Sequence, residues 1–106
     1  MKNLKLGEIV LMKFPFTDGK TFKRRPALVL KDTDDGDIIV CRITSKTYNS
    51  RFDIGFKNWK RAGLKLPSII RTHKIATIEK NLIELRIGKI DLATLNKVKL
   101  IVRKLA

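Results

Sequence analysis

The sequence predicts a mainly β fold, a small curled antiparallel barrel closed off by one C-terminal α-helix. Three observations predict it. Short apolar runs and apolar/polar alternations fill residues 7 to 88, an Asp35-Gly36 turn signal sits between two of them, and one amphipathic segment ends the chain. About six short strands with a single packed helix suit a barrel better than a layered α/β sheet.

Residues 7–14 and 26–31 are apolar runs short enough for strands buried on both faces. Pro26 fits such a strand as its first residue, where no ladder hydrogen bond is lost. Asp35-Gly36 predicts a hairpin joining 26–31 to 37–44. Phe52, Ile54 and Phe56 alternate with Arg51, Asp53 and Gly55, the pattern of a half-buried strand. Ile69 to Ile78 is rich in β-branched residues and reads as extended. Ile83, Leu85 and Ile87 alternate with Glu84, Arg86 and Gly88 and predict one more strand. A short helix is expected over 58–62, stopped by Gly63. The last segment is the strongest helix. Asp91 can N-cap it, Ile90 and Leu95 suit a hydrophobic staple, and Arg103 and Lys104 lie in the last turn. Leu92, Leu95, Val98, Val102 and Leu105 form its apolar stripe.

The 106 residues suit one domain, 1–106, with an apolar fraction of 43% sufficient for a single core. Lysine and arginine number 24 against 10 acids, a formal charge of +14. That balance points to a polyanionic or acidic partner. No run approaches the roughly 18 apolar residues of a membrane span, and Glu8 and Lys13 interrupt any signal-peptide core, so a cytoplasmic address is expected. Cys41 is the one cysteine, between Ile39 and Ile43 at strand spacing, and is expected to be a small buried hydrophobe. It excludes an internal disulfide and a cysteine-based zinc site.

The stretch FPFTDGKTFKRRPALVL, residues 14–30, crowds Lys23, Arg24 and Arg25 against a buried strand. Arg25 precedes the proline, so the strand would hold its backbone while the guanidinium offers planar donors to phosphate. The acidic run Asp32 to Asp37 does not match a calcium loop, since glycine falls at position 5 and Ile43 at position 12. It reads as a solvated hairpin turn. The remaining acids are scattered, so no metal or other cofactor is expected. Arg42 and Thr44 share one strand face, a cation beside a hydroxyl, although Thr44 also reads as an ordinary strand residue. Arg71 and His73 share parity on the next long strand. The only histidine is either a general acid or base or a hydrogen-bonded structural imidazole. Tyr48, in the polar stretch 46–50 beside Lys46, is a candidate for stacking on bases. Phe52 is expected in the core, and Trp59 either stacks or plugs a core edge.

Taken together, Gly7-Glu8-Ile9-Val10, FPFTDG…KRRPALVL, Ile43-Thr44-Ser45 and Leu66-Pro67-Ser68-Ile69-Ile70-Arg71 running into Ala76-Thr77-Ile78-Glu79 resemble the PemK/MazF toxins of type II toxin–antitoxin pairs, in their PemK-like branch. The likeness spans nearly the whole chain with its motifs in order. It implies an SH3-like barrel, a homodimer and a metal-independent endoribonuclease. Such an enzyme cuts single-stranded RNA through attack by the ribose 2′-hydroxyl, and it is neutralised by an acidic antitoxin. It assigns Arg25 and Thr44 as catalytic. His73 stands where compared members have an acid, and Ala76 stands where some relatives have arginine. His73 joins the catalytic set as a candidate proton carrier. Lys23, Arg24, Arg42, Lys46, Tyr48 and Arg71 are expected along the RNA path, with residues 14–22 as a loop gating it. A non-catalytic nucleic-acid-binding module and an inactive, partner-binding relative are the alternative readings.

Overall fold

The computed structural model describes residues 3–15 and 18–105. Strands β1 (Glu8–Pro15), β2 (Phe22–Asp32), β3 (Asp37–Thr44), β4 (Asp53–Gly55), β5 (Ile69–Glu79) and β6 (Ile83–Lys89) precede helix α1 (Leu92–Leu105). A 3-10 turn, Lys80–Leu82, links β5 to β6. The strands form one antiparallel sheet in the spatial order β4-β5-β3-β2-β1-β6. Among the described residues no helix is long and apolar enough to cross a membrane.

The curled SH3-like barrel expected from the sequence does not form. The sheet is open, and β4 and β6 are its two edges. β4 has only three residues, too few to offer a ladder to another edge. The chain leaving β4 instead lays its backbone on β6. A Cβ added to Gly88 would stand 2.3 Å from the Ala62 carbonyl oxygen, and one added to Gly63 would stand 2.4 Å from Ile87 Cγ2. Two glycines thus let backbone rest on β6, and the edges are bridged by packing rather than by strand hydrogen bonds. Strand alternation marks which residues are buried but carries no information about whether the edges pair.

The bridging segment is a turn and not the regular helix expected over 58–62. The Leu64 N–H donates to the Trp59 carbonyl at 3.0 Å and the Gly63 N–H to that of Lys60 at 3.1 Å. Those two bonds, with Gly63 at φ +94, make a Schellman closure directly after a single turn. Gly63 therefore does act as the stop. Trp59 packs against the core cluster beneath, which settles its role as a plug.

The sheet is apolar on both faces, which explains the near-continuous apolar runs. On one face Ile9, Leu28, Cys41, Ile43 and Ile70 meet Val98 of α1. On the other, Val10, Met12, Ala27, Val29, Ile38 and Val40 meet Leu4. Burying each of these larger side chains contributes roughly 1.5–3 kcal/mol. Cys41 is fully buried as expected, and burial pushes its thiol up to about 12.

Helix α1 starts where the sequence places it. The Asp91 carboxylate accepts a hydrogen bond from the Thr94 N–H at 2.7 Å, an N-cap worth about 1 kcal/mol. Ile90 and Leu95 both border Gly7. The stripe needs correction at its ends. Leu95, Val98, Ile101 and Val102 pack on the core, whereas Leu92 is 72% exposed. The helix lies chiefly over β4 and β5, so its first and last turns overhang the sheet.

β2 also begins earlier than expected, at Phe22, so Lys23, Arg24 and Arg25 are strand residues and Pro26 is internal. Pro26 faces Leu11 on β1, while the ladder to β3 reaches only as far as Ala27. Beyond Ala27 the β3 side of the strand is unpaired, so the missing proline N–H costs no ladder bond. The 32–37 hairpin forms as expected, with Asp34 and Gly36 at positive φ.

Gly88→Ala is expected to destabilise the fold by about 1–3 kcal/mol, because backbone must shift to admit the methyl group. The check is the urea midpoint, which should fall with little change in slope.

Candidate functional site

Directly opposed residues of neighbouring strands project from the same face. Met12 opposes Arg25, Ala27 opposes Arg42, Arg42 opposes Arg71, and Asp53 opposes Arg71. Arg25, Arg42 and Arg71 therefore stand across β2, β3 and β5 on the face that carries Met12, Ala27 and Val40. That face is apolar toward the 32–37 hairpin and cationic toward the other end of the strands. Thr44 has the parity of Arg42. It is buried, and its hydroxyl oxygen accepts the Lys46 N–H at 3.2 Å.

Arg25 and Arg42 line one open pocket of about 450 Å³, with Phe14, Pro26 and Ile75 as apolar walls and Lys74 among its cations. Both arginines are half-buried. Cys41 also borders the pocket, but its side chain is fully buried in the cluster on the opposite face of the sheet, so the thiol takes no part in the site.

Beside the pocket, β5 bulges. Cys41 opposes Ile75 while Arg42 opposes Arg71, so Thr72, His73 and Lys74 are extra on β5. Thr72 anchors the bulge, since its N–H and its hydroxyl both donate to the Phe52 carbonyl, at 3.1 and 2.7 Å. Arg71 then points to Asp53, with Nε 2.8 Å from Oδ1, and its guanidinium lies 3.6 Å over the Tyr48 ring. The Asp53 side chain is only 2% exposed. Burial pushes its carboxyl up. Hydrogen bonds from Arg71 and from the Ser50 hydroxyl and N–H outweigh that and hold it at about 2.

His73 Nε2 is 3.4 Å from Arg71 Nη2, and the imidazole ring sits 5.1 Å from that of Phe52. A guanidinium can only donate, so Nε2 is the acceptor and the ring proton belongs on Nδ1. Nδ1 is buried, with no hydrogen-bond partner among the described residues.

The structure thus brings Arg25 together with Arg42, and Arg71 together with His73 and Tyr48, with Thr44 on the same face. Arg24 is not part of this grouping. Successive strand residues alternate sides, so Arg24 projects opposite to Arg25. There it meets Glu84 at 2.6 Å, and Lys13 meets the same carboxylate at 3.4 Å. Arg24 also lies 5.0 Å over Phe22. Lys23 has the parity of Arg25 and is exposed, as is Lys46. Phe52, expected in the core, packs instead on His73. Of the expected gating loop, Phe14 and Phe22 belong to strands, Asp18 accepts hydrogen bonds from the Lys20 and Thr21 N–H groups, and Phe16 and Thr17 lie outside the described residues.

Sequence reasoning misses Asp53, which reads as one more scattered acid. Its place on the polar side of an alternating strand is the available signal. Its partner, 18 residues away on another strand, is invisible there. Among the described residues no group of three or more histidine, cysteine, aspartate or glutamate side chains converges.

Residues 5–106 match the family model described as PemK-like, MazF-like toxin of type II toxin–antitoxin system. No curated protein matches the sequence. Among solved structures, the chain is similar to MazE–MazF from Deinococcus radiodurans, with TM-score 0.80 and 18% identity over 96% of this chain and 94% of that one. It is also similar to an endoribonuclease in complex with its cognate antitoxin from Mycobacterial species, with TM-score 0.75 and 15% identity over 96% and 93%. A third is the Mycobacterium tuberculosis toxin MazF-mt6, with TM-score 0.71 and 16% identity over 90% and 93%.

Acid should loosen this site in a defined interval. The folded Asp53 carboxyl titrates at about 2, below its ordinary 3.8, so its contribution to stability is complete above about pH 4 and is lost as pH falls through 2. Asp32, tied to Lys80 and also at about 2, adds a share of the same sign. Asp53→Asn is expected to melt lower than wild type at pH 7 and to lose less on going from pH 4 to 2. Thermal melts by circular dichroism at both pH values check it.

Proposed function

We propose that this chain, which belongs to the PemK-like, MazF-like toxins of type II toxin–antitoxin systems, is an endoribonuclease that cuts single-stranded RNA without a metal ion. The observation that carries this reading is the family match over residues 5–106 on a chain that gathers Arg25, Arg42 and Arg71 on one open sheet face. A charge of +14 favours a polyanion in general. A half-buried guanidinium in a pocket with apolar walls favours one phosphate of a chain whose bases need somewhere to rest.

In this reading the ribose 2′-oxygen attacks the adjacent phosphorus. The 2′-O–P bond forms and the P–O5′ bond breaks, leaving a 2′,3′-cyclic phosphate and a 5′-hydroxyl. The 2′-hydroxyl loses a proton and the departing 5′-oxygen gains one. Arg25 stabilises the charge that builds on the phosphorane. Its pKa, above about 12, rules it out as the base. The Thr44 oxygen already accepts from Lys46, which leaves its own proton to donate to the phosphate or the ribose. His73 is the one imidazole available for the proton transfers. Its Nε2 is turned toward Arg71, so that role requires Arg71 to move onto RNA when substrate binds. Lys23, Lys46, Tyr48 and Arg71 would border the strand's path.

The partners are single-stranded RNA, an acidic antitoxin segment laid over the same cationic face, and a second copy of the chain. Charge supports the antitoxin. So does the likeness to a solved endoribonuclease held by its cognate antitoxin.

The purified protein in EDTA should cut mixed-sequence RNA at defined sites and leave 5′-hydroxyl ends. Arg25→Ala should lower the rate by about 10²–10³-fold. Tight binding with no cutting would favour a non-catalytic binding module. A pH–rate profile of His73→Ala tests the imidazole, with loss of one limb expected. A full wild-type rate and profile would remove His73 from the chemistry.

A further inference from the structure

Resting on the ribonucleolytic reading, we propose that Arg42 is a second guanidinium on the same phosphate that Arg25 clamps. Arg42 opposes Ala27, and Arg25 lies two residues along β2 on the same face. Within a ladder such diagonal neighbours are about 7–8 Å apart. The β2–β3 ladder ends at Ala27, two residues short of Arg25, and arginine side chains are long enough to close that gap from either side of a phosphate. Both line the same pocket of about 450 Å³.

The distribution of acids singles this pair out. Glu84 serves Lys13 and Arg24, Asp53 serves Arg71, Asp32 serves Lys80, and Glu8 serves Arg86. Arg25 and Arg42, both half-buried, have no ion pair among the described residues. Two like charges withdrawn from water beside each other repel, and an anion seated between them removes that cost. The occupant must also suit the apolar wall of Phe14, Pro26 and Ile75, where Ile75 is 46% exposed. A phosphodiester with its ribose and base meets both conditions. An isolated inorganic anion leaves the wall bare.

The attack described above places added negative charge on the two non-bridging oxygens of the phosphorane. One guanidinium on each oxygen acts on the rate as well as on affinity. Arg71 does not line this pocket; even released from Asp53 and Tyr48 it would meet the RNA strand beside the pocket and not within it.

The test uses the full chain. For binding, the probe is a short mixed-sequence single-stranded DNA, which lacks the attacking hydroxyl. On a single strand, each phosphate that the protein ceases to neutralise lowers the slope of log affinity against log salt by about 0.7. If Arg25 and Arg42 share a phosphate, the Arg25→Ala/Arg42→Ala double variant loses about 0.7 in slope. A loss of about 1.4 assigns them separate phosphates and overturns the proposal.

For rate, a short RNA with a mapped cut site is incubated with saturating protein. Arg42→Ala should slow single turnover by about 10²–10³-fold, and Arg42→Lys should recover only part of it, lacking the planar fork. An unchanged saturating rate overturns the proposal. If wild type cuts no RNA at all, the ribonuclease reading falls while the DNA slopes still decide whether the phosphate is shared. Arg42→Gln replaces the alanine variant should circular dichroism show that one unfolded.

Discussion

Arg42 and Arg71 stand directly opposite each other on β3 and β5, and like charges in that relation repel. Asp53 removes the conflict. Its buried carboxylate takes the Arg71 Nε, draws that guanidinium toward β4 and lets it lie over Tyr48. The three-residue β4 is in turn held to β5 by this ion pair and by the Thr72 bonds to Phe52. Without that neutralisation the cationic end of the sheet would carry three adjacent arginines with no counter-ion, and β4 would lose much of what fixes it. The arrangement of the whole face follows from where one carboxylate sits.

The chain has 24 cations and 10 acids, so it cannot pair every cation, and which ones it pairs is informative. Its described ion pairs tie elements together, β2 and β1 to β6 through Glu84, and the 3-10 turn to β2 through Asp32. Glu84 is held below the usual carboxylate range, chiefly by its hydrogen bond from Arg24. Structural cations receive partners, while Arg25 and Arg42 in the pocket have no ion pair among the described residues. The division of Lys23, Arg24 and Arg25 shows it within three consecutive residues, since Arg24 turns to Glu84 and Arg25 turns to the pocket.

Much of the secondary structure was legible because apolar alternation has a physical period. β3, β5, β6 and the start of α1 fall where that period and the Asp91 cap place them. What failed depends on neighbours in space. Pro26 looked like a strand opener, but whether its missing N–H matters is decided by where the β3 ladder stops. Barrel closure depended on the fate of β4, which alternation drew longer than its three residues. At the site, the shared face of Arg42 and Thr44 could be read from parity, Arg25 stood out by its place directly before Pro26 and a buried strand, and Thr44 was singled out by the family resemblance. The bulge at Thr72–Lys74 could not be read, because Ile69 to Ile78 is uniformly extended-looking sequence. Asp53 could not be assigned either, because its partner lies on another strand.

Trp59 is the only tryptophan, and it sits in the turn that bridges the two sheet edges, packed against the cluster beneath α1. The arginine pocket opens on the opposite face. The molecule therefore carries an intrinsic fluorophore on the element that completes its fold and away from the surface that would meet a ligand. Its emission reports docking of that turn, so folding can be followed in an unlabelled sample without interference from a ligand at the pocket.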